Sequence, residues 1–247
     1  MGKKSAAPVI DLKRVKVACR HCSLYQLCLP MGISPEDLSR LEAIIDRRTL
    51  AKRGEVLFRI GDPFHALYAV KSGAVKTSVY TADGQEQVTG FHLAGELFGL
   101  DAIGNGAHAC QAVALERTTL CEIPFDELRR LGTQLPSLCD QLMRVMSLEI
   151  QEDHASLQLA HLGAEGRLAS FLLNLGERLE RRGFSGSAFR LSMSRYDIAN
   201  YLGLAVETVS RIFTRFQDAG LLAVRQREVH LLDPAALRAR TADGLPR

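Results

Sequence analysis

The stretch RYDIANYLGLAVETVSRIFTRFQDAGLL, from Arg195 to Leu222, contains two helical patterns joined by a short turn at Gly203. The first pattern covers Arg195–Leu202 and the second covers Val206–Ala219. Two helices joined by a tight turn that contains glycine predict a helix-turn-helix. Two short apolar runs follow in LLAVRQREVHLLD, and the polar turn between them predicts a hairpin wing. Residues 164–247 are therefore predicted to form a winged helix-turn-helix domain.

Polar and apolar residues divide the second predicted helix into two faces. Its apolar residues are expected to pack against Ile198 and Ala199 of the first helix. Glu207, Ser210 and Arg211 lie on the opposite face, because residues three and four positions apart share one side of a helix. They stand near the helix N-terminus, which is where a recognition helix touches base edges.

The chemistry of these three side chains suits the reading of DNA bases. Arg211 can make a bidentate contact with guanine, Glu207 can accept a hydrogen bond from cytosine, and Ser210 can serve either role or touch a thymine. Arg215, one turn further along, is predicted to contact a phosphate. A merely solvated face is the alternative, but base reading is preferred because the helix belongs to a helix-turn-helix.

The middle of the chain alternates apolar and polar residues in short runs, beginning at EVLFRIGDP, Glu55–Pro63. Glycine turns recur every eight to twelve residues, and Ser72-Gly73 and Asp83-Gly84 are predicted hairpin tips. This pattern is typical of a β-barrel or jelly roll. Residues 35–132 are therefore predicted to be a barrel-shaped sensor domain, and the whole chain is predicted to have an α+β fold.

After Phe125 the apolar spacing becomes helical, and residues 133–163 predict one long helix. An apolar stripe runs along it: Leu138, Leu142, Val145, Met146, Ile150, Leu157 and Ala160. The stripe can lie on the barrel or form a dimer seam. Glu149 and Asp153 stand beside Ile150, and across a two-fold axis each carboxylate would face its own copy. These two acids are therefore expected to favour the monomer.

Three cysteines fall within ten residues in the stretch CRHCSLYQLC, at Cys19, Cys22 and Cys28. Thiolates bind soft metals, and this spacing supplies three ligands from one segment. Cys110 follows a glycine-rich loop and is predicted to be the fourth ligand. Cys121 and Cys139 lie in periodic apolar stretches, which are typical of small buried hydrophobic residues. A second close cysteine pair is missing, so an iron-sulfur cluster is favoured over zinc, while a thiol redox switch stays open.

Charge and hydropathy narrow the location and the partners. Lys and Arg counted against Asp and Glu give net charges of +5, −6 and +4 for residues 1–34, 35–163 and 164–247. The basic C-terminal part is a mild indication of a polyanion partner. No secretory signal and no apolar run of 18 residues is present, so we expect a cytoplasmic protein that does not bind membranes.

The chain resembles the Crp/Fnr family of transcription regulators, and within it the Fnr/Anr branch of anaerobic regulators. The resemblance covers nearly the whole length and is carried by four stretches: CRHCSLYQLCLP, GDPFHALYAVKSGAVKT, QLMRVMSLEIQED and AVETVSRIFTRFQ. It implies residues 1–34 as a cluster-binding segment, the helix over 133–163 as the dimerisation helix, and RNA polymerase as a partner.

The same resemblance implies an oxygen-labile [4Fe-4S] cluster on Cys19, Cys22, Cys28 and Cys110. The form that carries the cluster is expected to be a homodimer bound to a TTGAT-N4-ATCAA palindrome, with Glu207, Ser210 and Arg211 reading the half-sites. Oxygen is expected to destroy the cluster and return the chain to a monomer that releases DNA. Cluster binding would tie residues 19–28 to the loop of Cys110 and repack the long helix around Ile150.

A cyclic-nucleotide-responsive or other small-ligand regulator of the same family is the alternative. A buried phosphate needs an Arg beside a small hydroxyl residue. After Gly95-Glu96-Leu97, however, the chain has no Arg or Lys before Arg117. A haem sensor lacks a recognisable axial-ligand pattern among the seven histidines. An enzyme with a cysteine nucleophile lacks an identifiable partner base, so the chain is not expected to be an enzyme.

Overall fold

The computed structural model describes Cys19, Cys22, Cys28 and residues 33–45 and 47–242. Most of the predicted N-terminal segment 1–34 therefore lies outside the described residues. The fold is mixed α and β, as predicted: a barrel of antiparallel sheets, a long helix and a winged helix-turn-helix.

Eight strands build the barrel. They are β1 (Arg47–Ala51), β2 (Val56–Phe58), β3 (Ala66–Ser72), β4 (Ala74–Tyr80), β5 (Glu86–Leu93), β6 (Leu97–Phe98), β7 (Gln111–Ala114) and β8 (Thr118–Pro124). One sheet has the order β1-β8-β3-β6 and the other has the order β2-β7-β4-β5. Among the described strands, β5 thus forms an edge of the second sheet.

The two predicted hairpin tips have different outcomes. Asp83-Gly84 does join a hairpin, since β4 and β5 pair antiparallel from Ala74↔Leu93 to Tyr80↔Glu86. Ser72-Gly73 was wrongly predicted to do so, because β3 pairs with β8 and β6 while β4 belongs to the other sheet. Gly73 carries the chain between the sheets at φ 87°, and a Cβ there would lie 2.8 Å from the Cα of Thr118. Only glycine fits this crossing without strain.

Helices cover one side of the barrel and lead out of it. They are α1 (Pro35–Ile44), α2 (Phe125–Gly132) and α3 (Pro136–Leu159). Helix α1 begins at the N-cap Ser34, whose side chain accepts a hydrogen bond from the backbone of Asp37. The long helix predicted over 133–163 is therefore α3, shorter by a few residues at each end.

The C-terminal domain contains α4 (Ala164–Glu180), β9 (Ala188–Arg190), α5 (Arg195–Leu202), α6 (Val206–Asp218), β10 (Leu222–Arg225), β11 (Glu228–Leu231) and α7 (Pro234–Ala242). Helices α5 and α6 match the two predicted helices of the helix-turn-helix. Strands β10 and β11 are the predicted wing, and β9 adds a third strand to it. None of the helices in the described ranges is long and apolar enough to cross a membrane.

The buried apolar residues form three clusters. The first extends from α4, α5 and α6 into the barrel, where it includes Val88, Phe91 and Leu93. The second lies between the outside of the β1-β8-β3-β6 sheet and helices α1, α2 and α3. The third fills the barrel interior around Phe58 and Phe98. The barrel and the DNA-binding domain therefore share the first of these clusters.

Candidate cysteine centre and nucleic-acid interface

Cys19 and Cys28 lie against the outer face of the β1-β8-β3-β6 sheet, and Cys22 follows Cys19 in a turn. Cys19 is 6% exposed and belongs to the second hydrophobic cluster, and Cys28 packs against that cluster. The backbone N–H of Cys22 donates to the carbonyl oxygen of Cys19 over 2.9 Å, so the two cysteines share one tight turn. Burial, and next the neighbouring Cys121, raise the pKa of the Cys19 thiol to about 12.

Cys121 lies on β8, between Arg48 of β1 and Ala69 of β3 in the pairing register. It is half-buried and packs against the same hydrophobic cluster as Cys28, the cluster to which Cys19 belongs. Its neighbour Leu120 points the other way, into the barrel interior. Cys121 is therefore on the sheet face that meets the N-terminal cysteines.

Cys110 lies elsewhere, just before β7, and packs against the third cluster inside the barrel. Its Sγ is 3.5 Å from Oδ2 of Asp101, which also accepts a hydrogen bond from the Cys110 backbone N–H over 3.3 Å. Burial, and next the charge of Asp101, raise the pKa of the Cys110 thiol to about 12, and Glu149 adds to the effect. Among the described residues, the charged side chains that act on Cys110 are the acids Asp101 and Glu149.

The choice between Cys110 and Cys121 made from sequence is therefore not supported by the placement of these residues. The alternation along β8 carried a signal: Thr118 and Leu120 are buried on one face, so Cys121 had to lie on the other. Cys139 is exposed at the start of α3 and its Sγ contacts the Gly132 carbonyl. Among the described residues, no three His, Cys, Asp or Glu side chains are already gathered as ligands of one ion.

A cavity of about 340 Å³ opens between the barrel, α3 and α4, next to Cys110. Its charged lining is mostly acidic: Asp101, Glu149, Glu152 and Asp153, with Arg178 as the one basic lining residue. Arg178 already pairs with Glu96, at 2.5 Å. Burial lowers the pKa of the lining His92 to about 4, so this side chain is neutral. The cavity is thus unsuited to a phosphate.

The apolar stripe of α3 divides between the barrel and the exterior. Leu138 is buried, and Leu142 and Val145 pack on the second cluster. Other apolar residues of the helix are uncovered: Met143 at 71%, Leu148 at 41%, Ile150 at 54% and Leu157 at 70% exposure. Met143, Ile150 and Leu157 are spaced by seven residues and share one exposed face, and Ile150 and Leu157 belong to the predicted stripe.

The two acids of the predicted dimer switch both line the cavity but differ in exposure. Asp153 is exposed, as is Ile150. Glu149 is half-buried at the cavity, and burial together with Glu152 raises the pKa of its carboxyl to about 7. Both acids line the cavity beside the barrel, and the expectation that they face their own copies across a seam stays a prediction.

The helix-turn-helix is held by local contacts that the sequence encodes. Ser194 and Asp197 form a capping box at the start of α5, and Gly203 ends the helix in the left-handed conformation at φ 63°. The apolar face of α6 is buried: Val209, Ile212, Phe213 and Phe216. The guanidinium of Arg195 lies 3.1 Å above the ring of Phe213.

The face predicted to read bases is open. Glu207, Ser210 and Arg211 are exposed, and the hydroxyl of Ser210 donates to the Val206 carbonyl. Arg215 differs from them, since its Nη1 lies 2.8 Å from Oε1 of Glu165 on α4. Arg215 is still 61% exposed, so a phosphate can compete for it at a DNA surface.

Comparison with known proteins agrees with this architecture. A model of the Crp-like helix-turn-helix domain matches residues 166–240, and a model of the cyclic nucleotide-binding domain matches residues 48–134. The solved structure of FixK2 from Bradyrhizobium japonicum is similar, with a TM-score of 0.70 and 27% identity, covering 81% of this chain and 97% of that one.

Two curated relatives are closer in sequence. The transcriptional activator protein Anr of Pseudomonas protegens is 53% identical over 222 residues, 90% of this chain and 91% of the relative. The fumarate and nitrate reduction regulatory protein of Escherichia coli is 47% identical over 222 residues, 90% and 89% of the two chains. With its barrel, long helix and winged helix-turn-helix, the chain therefore belongs to the Crp/Fnr family of transcription regulators, in the Fnr/Anr branch.

Proposed function

We propose that the chain is an oxygen-responsive transcription activator that holds a [4Fe-4S] cluster on Cys19, Cys22, Cys28 and Cys121. The observation that carries this proposal is the position of Cys121 on the outer face of β8. There it packs against the second hydrophobic cluster, which also contains Cys19. Cys121 replaces Cys110, which faces Asp101 inside the barrel.

The residues present fit such a group. Iron-sulfur clusters are held by cysteine thiolates, and four cysteines are available from one irregular segment and one strand. Apolar residues pack around Cys19, Cys28 and Cys121, and such residues limit the access of water, which tunes iron-sulfur clusters. When bound, the [4Fe-4S] cluster would be the oxygen-sensitive group of the protein.

The hydrophobic neighbours of these cysteines connect them to α3. Leu138 belongs to the second hydrophobic cluster, as Cys19 does, and Leu142 and Val145 of α3 pack against that cluster. A change in how the N-terminal cysteines pack therefore acts directly on the first half of α3. The second half presents Ile150 and Leu157 to solvent, and we propose that these residues meet a second copy of the chain in a homodimer.

In that dimer, Glu207, Ser210 and Arg211 of each copy are proposed to read one half of a TTGAT-N4-ATCAA palindrome, and RNA polymerase is the proposed downstream partner. Recognition helices related by a two-fold axis enter successive major grooves about 34 Å apart. The cyclic-nucleotide alternative is disfavoured by the acidic cavity, where a phosphate would meet Asp101 and Glu149.

The test is to purify the chain without oxygen and measure iron, acid-labile sulfide and the absorption spectrum. Operator binding is then measured before and after exposure to air. Iron with sulfide, and DNA binding that air abolishes, are the expected results, and the exposed Cys139→Ser variant should behave like the unmodified chain. Zinc in place of iron, or binding that air leaves intact, would refute the proposal.

A further inference from the structure

The DNA-binding domain is docked on the edge of the barrel rather than hung from a linker. The ring of Phe91 on β5 lies 5.9 Å from Phe171 of α4 and 5.3 Å from Tyr201 of α5, measured between centroids. Val88 and Leu93 of the same strand join the apolar core of the helix-turn-helix. A shift of β5 would therefore also shift α5, because the two elements pack against each other.

A buried lysine ties the two domains at the start of α5. Nζ of Lys76 on β4 lies 2.9 Å from Oδ1 of Asp197 and 3.0 Å from the carboxylate of Glu86 on β5. All three side chains are less than a fifth exposed. Although burial opposes its charge, hydrogen bonds to Asp197 and Glu86 hold the pKa of Lys76 above its ordinary value.

The carboxylate of Asp197 does two jobs with its two oxygens. Oδ2 accepts hydrogen bonds from the backbone and hydroxyl of Ser194, which completes the capping box of α5. Oδ1 accepts from Lys76 of the barrel. The cap that starts the helix-turn-helix is thereby attached to β4.

One turn along α5, Asn200 makes the contacts that a neighbouring strand would make. Its Oδ1 accepts from the backbone N–H of Val88 over 2.6 Å, and its Nδ2 donates to the carbonyl of Glu86 over 2.6 Å. Both contacts fall on the edge strand β5. A side-chain amide paired with backbone in this way fixes distance and orientation, because both hydrogen bonds are directional.

We propose that Lys76, Glu86, Asp197 and Asn200 form an interdomain clasp that positions the recognition helix for its operator. Helix α5 carries α6 through the buried contacts of the helix-turn-helix, so holding α5 on the barrel also holds the base-reading face of α6. In a dimer, this sets the distance and angle between the two reading faces. The clasp residues are positioning residues, since they touch no DNA in this scheme.

The clasp can be tested on the free chain by hydrogen exchange of backbone amides. Lys76→Met and Asn200→Ala should each speed exchange over residues 86–90 of β5 and over α5. Ser194→Ala is the matched control, because it removes the cap of α5 and leaves Lys76 bound to Asp197. It should speed exchange in α5 alone. Unchanged exchange at β5 in both clasp variants would overturn the clasp.

The positioning role rests on the proposed function and needs DNA. Full-length anaerobic protein is titrated with palindromes that have the natural spacer, the N4 of the proposed TTGAT-N4-ATCAA operator, or a spacer one base pair shorter or one base pair longer. A linked pair of modules gains avidity only when its geometry fits, so the unmodified chain should prefer the natural spacer by roughly a hundredfold. In the clasp variants this preference should fall by a factor of roughly ten. In Ser194→Ala it should stay the same as in the unmodified chain.

The outcomes separate the two proposals. If the unmodified chain binds no palindrome, the proposed function fails, while the hydrogen exchange result still decides whether the clasp exists. If the unmodified chain discriminates between spacers and the clasp variants do so equally, the positioning role is overturned. A loss of affinity that is the same at every spacer also overturns it, because that result describes stability alone. Arg190→Ala, which breaks a 58% exposed pair with Glu116 between the same domains, should change neither readout.

Discussion

Cys110 and Cys121 lie on consecutive stretches of the barrel, yet their surroundings have opposite chemistry. Cys121 is turned outward from β8 to the apolar cluster that contains Cys19. Cys110 packs on the barrel interior and faces Asp101, with Glu149 beyond it. A thiolate at Cys110 would add to existing negative charge, whereas a thiolate at Cys121 has other thiols with which to share a metal. We therefore expect the position of each cysteine relative to the barrel wall to decide whether it can be a ligand.

Replacing each cysteine by serine tests most directly whether Cys121 or Cys110 is the fourth ligand. Cys121→Ser should lose most of its iron and sulfide when purified without oxygen, because a serine hydroxyl is a poor ligand for iron in such clusters. Cys110→Ser should retain both. Iron and sulfide assays of the two variants, side by side with Cys139→Ser, decide the matter. Full iron in Cys121→Ser with loss in Cys110→Ser would restore the prediction made from sequence.

The acidic surroundings of Cys110 can be measured through its reactivity. Asp101→Asn should lower the pKa of the Cys110 thiol and speed its alkylation at pH 8 by roughly tenfold, since the thiolate is the reactive form. Peptide mass spectrometry after timed alkylation gives the rate at this position. Asp126→Asn, at an exposed acid of α2, is the control and should leave the rate unchanged. An unchanged rate in Asp101→Asn would show that burial alone protects Cys110.

Glu149 tests the same cavity through the pH dependence of stability. Burial raises its folded pKa from 4.5 to about 7, so the folded state holds the proton more tightly than the unfolded state does. Ionising the half-buried Glu149 carboxyl lowers the free energy of unfolding. This loss is absent below pH 4.5, grows as the pH rises and is complete above about 7. Glu149→Gln should therefore raise the free energy of unfolding by roughly 1 to 2 kcal/mol at pH 8 and leave it unchanged at pH 4.

Urea unfolding at both pH values measures this difference, with the exposed Glu127→Gln as the control. An equal gain at pH 4 and pH 8 would point to packing rather than charge as the origin of the effect.

The smallest expected effect concerns Asp153, the exposed acid of α3. Asp153→Ala should tighten dimerisation in air by a few-fold, about 0.5 to 1 kcal/mol, because exposed charge pairs are weak. Glu149→Gln should have a smaller effect, since that side chain is half-buried and its raised pKa, about 7, lowers its average charge near neutral pH. Analytical ultracentrifugation of aerobic protein compares the two. If Glu149→Gln shifts the monomer fraction more than Asp153→Ala does, the greater burial of Glu149 does not weaken its part in the repulsion.

Elements that depend on local contacts could be predicted from sequence. The two helices of the helix-turn-helix and the Asp83-Gly84 hairpin follow from spacing, capping and turn residues within a few positions of each other. The open face of α6 followed in the same way, because residues on one helical side are fixed by the period of the helix.

What could not be predicted depends on partners far away in the chain. Gly73 has the signature of a hairpin, but packing against Thr118 makes it a crossing between sheets. Alternation places Cys121 opposite Leu120, yet nothing local tells which face the N-terminal cysteines will cover. Lys76 and Asn200 are ordinary polar residues in sequence, and only the docking of α5 on β5 brings Lys76 to Asp197.

The amide of Asn200 also protects the chain from its own copies. An uncovered strand at the edge of a sheet offers free N–H and C=O groups that pair readily with another molecule. Asn200 occupies two of these groups, at Glu86 and Val88, and α5 covers the strand around them. A chain whose DNA-binding domain has come away exposes this edge, so strand-paired aggregation is expected to begin at β5, and the solubility of the protein depends on its helix-turn-helix remaining docked.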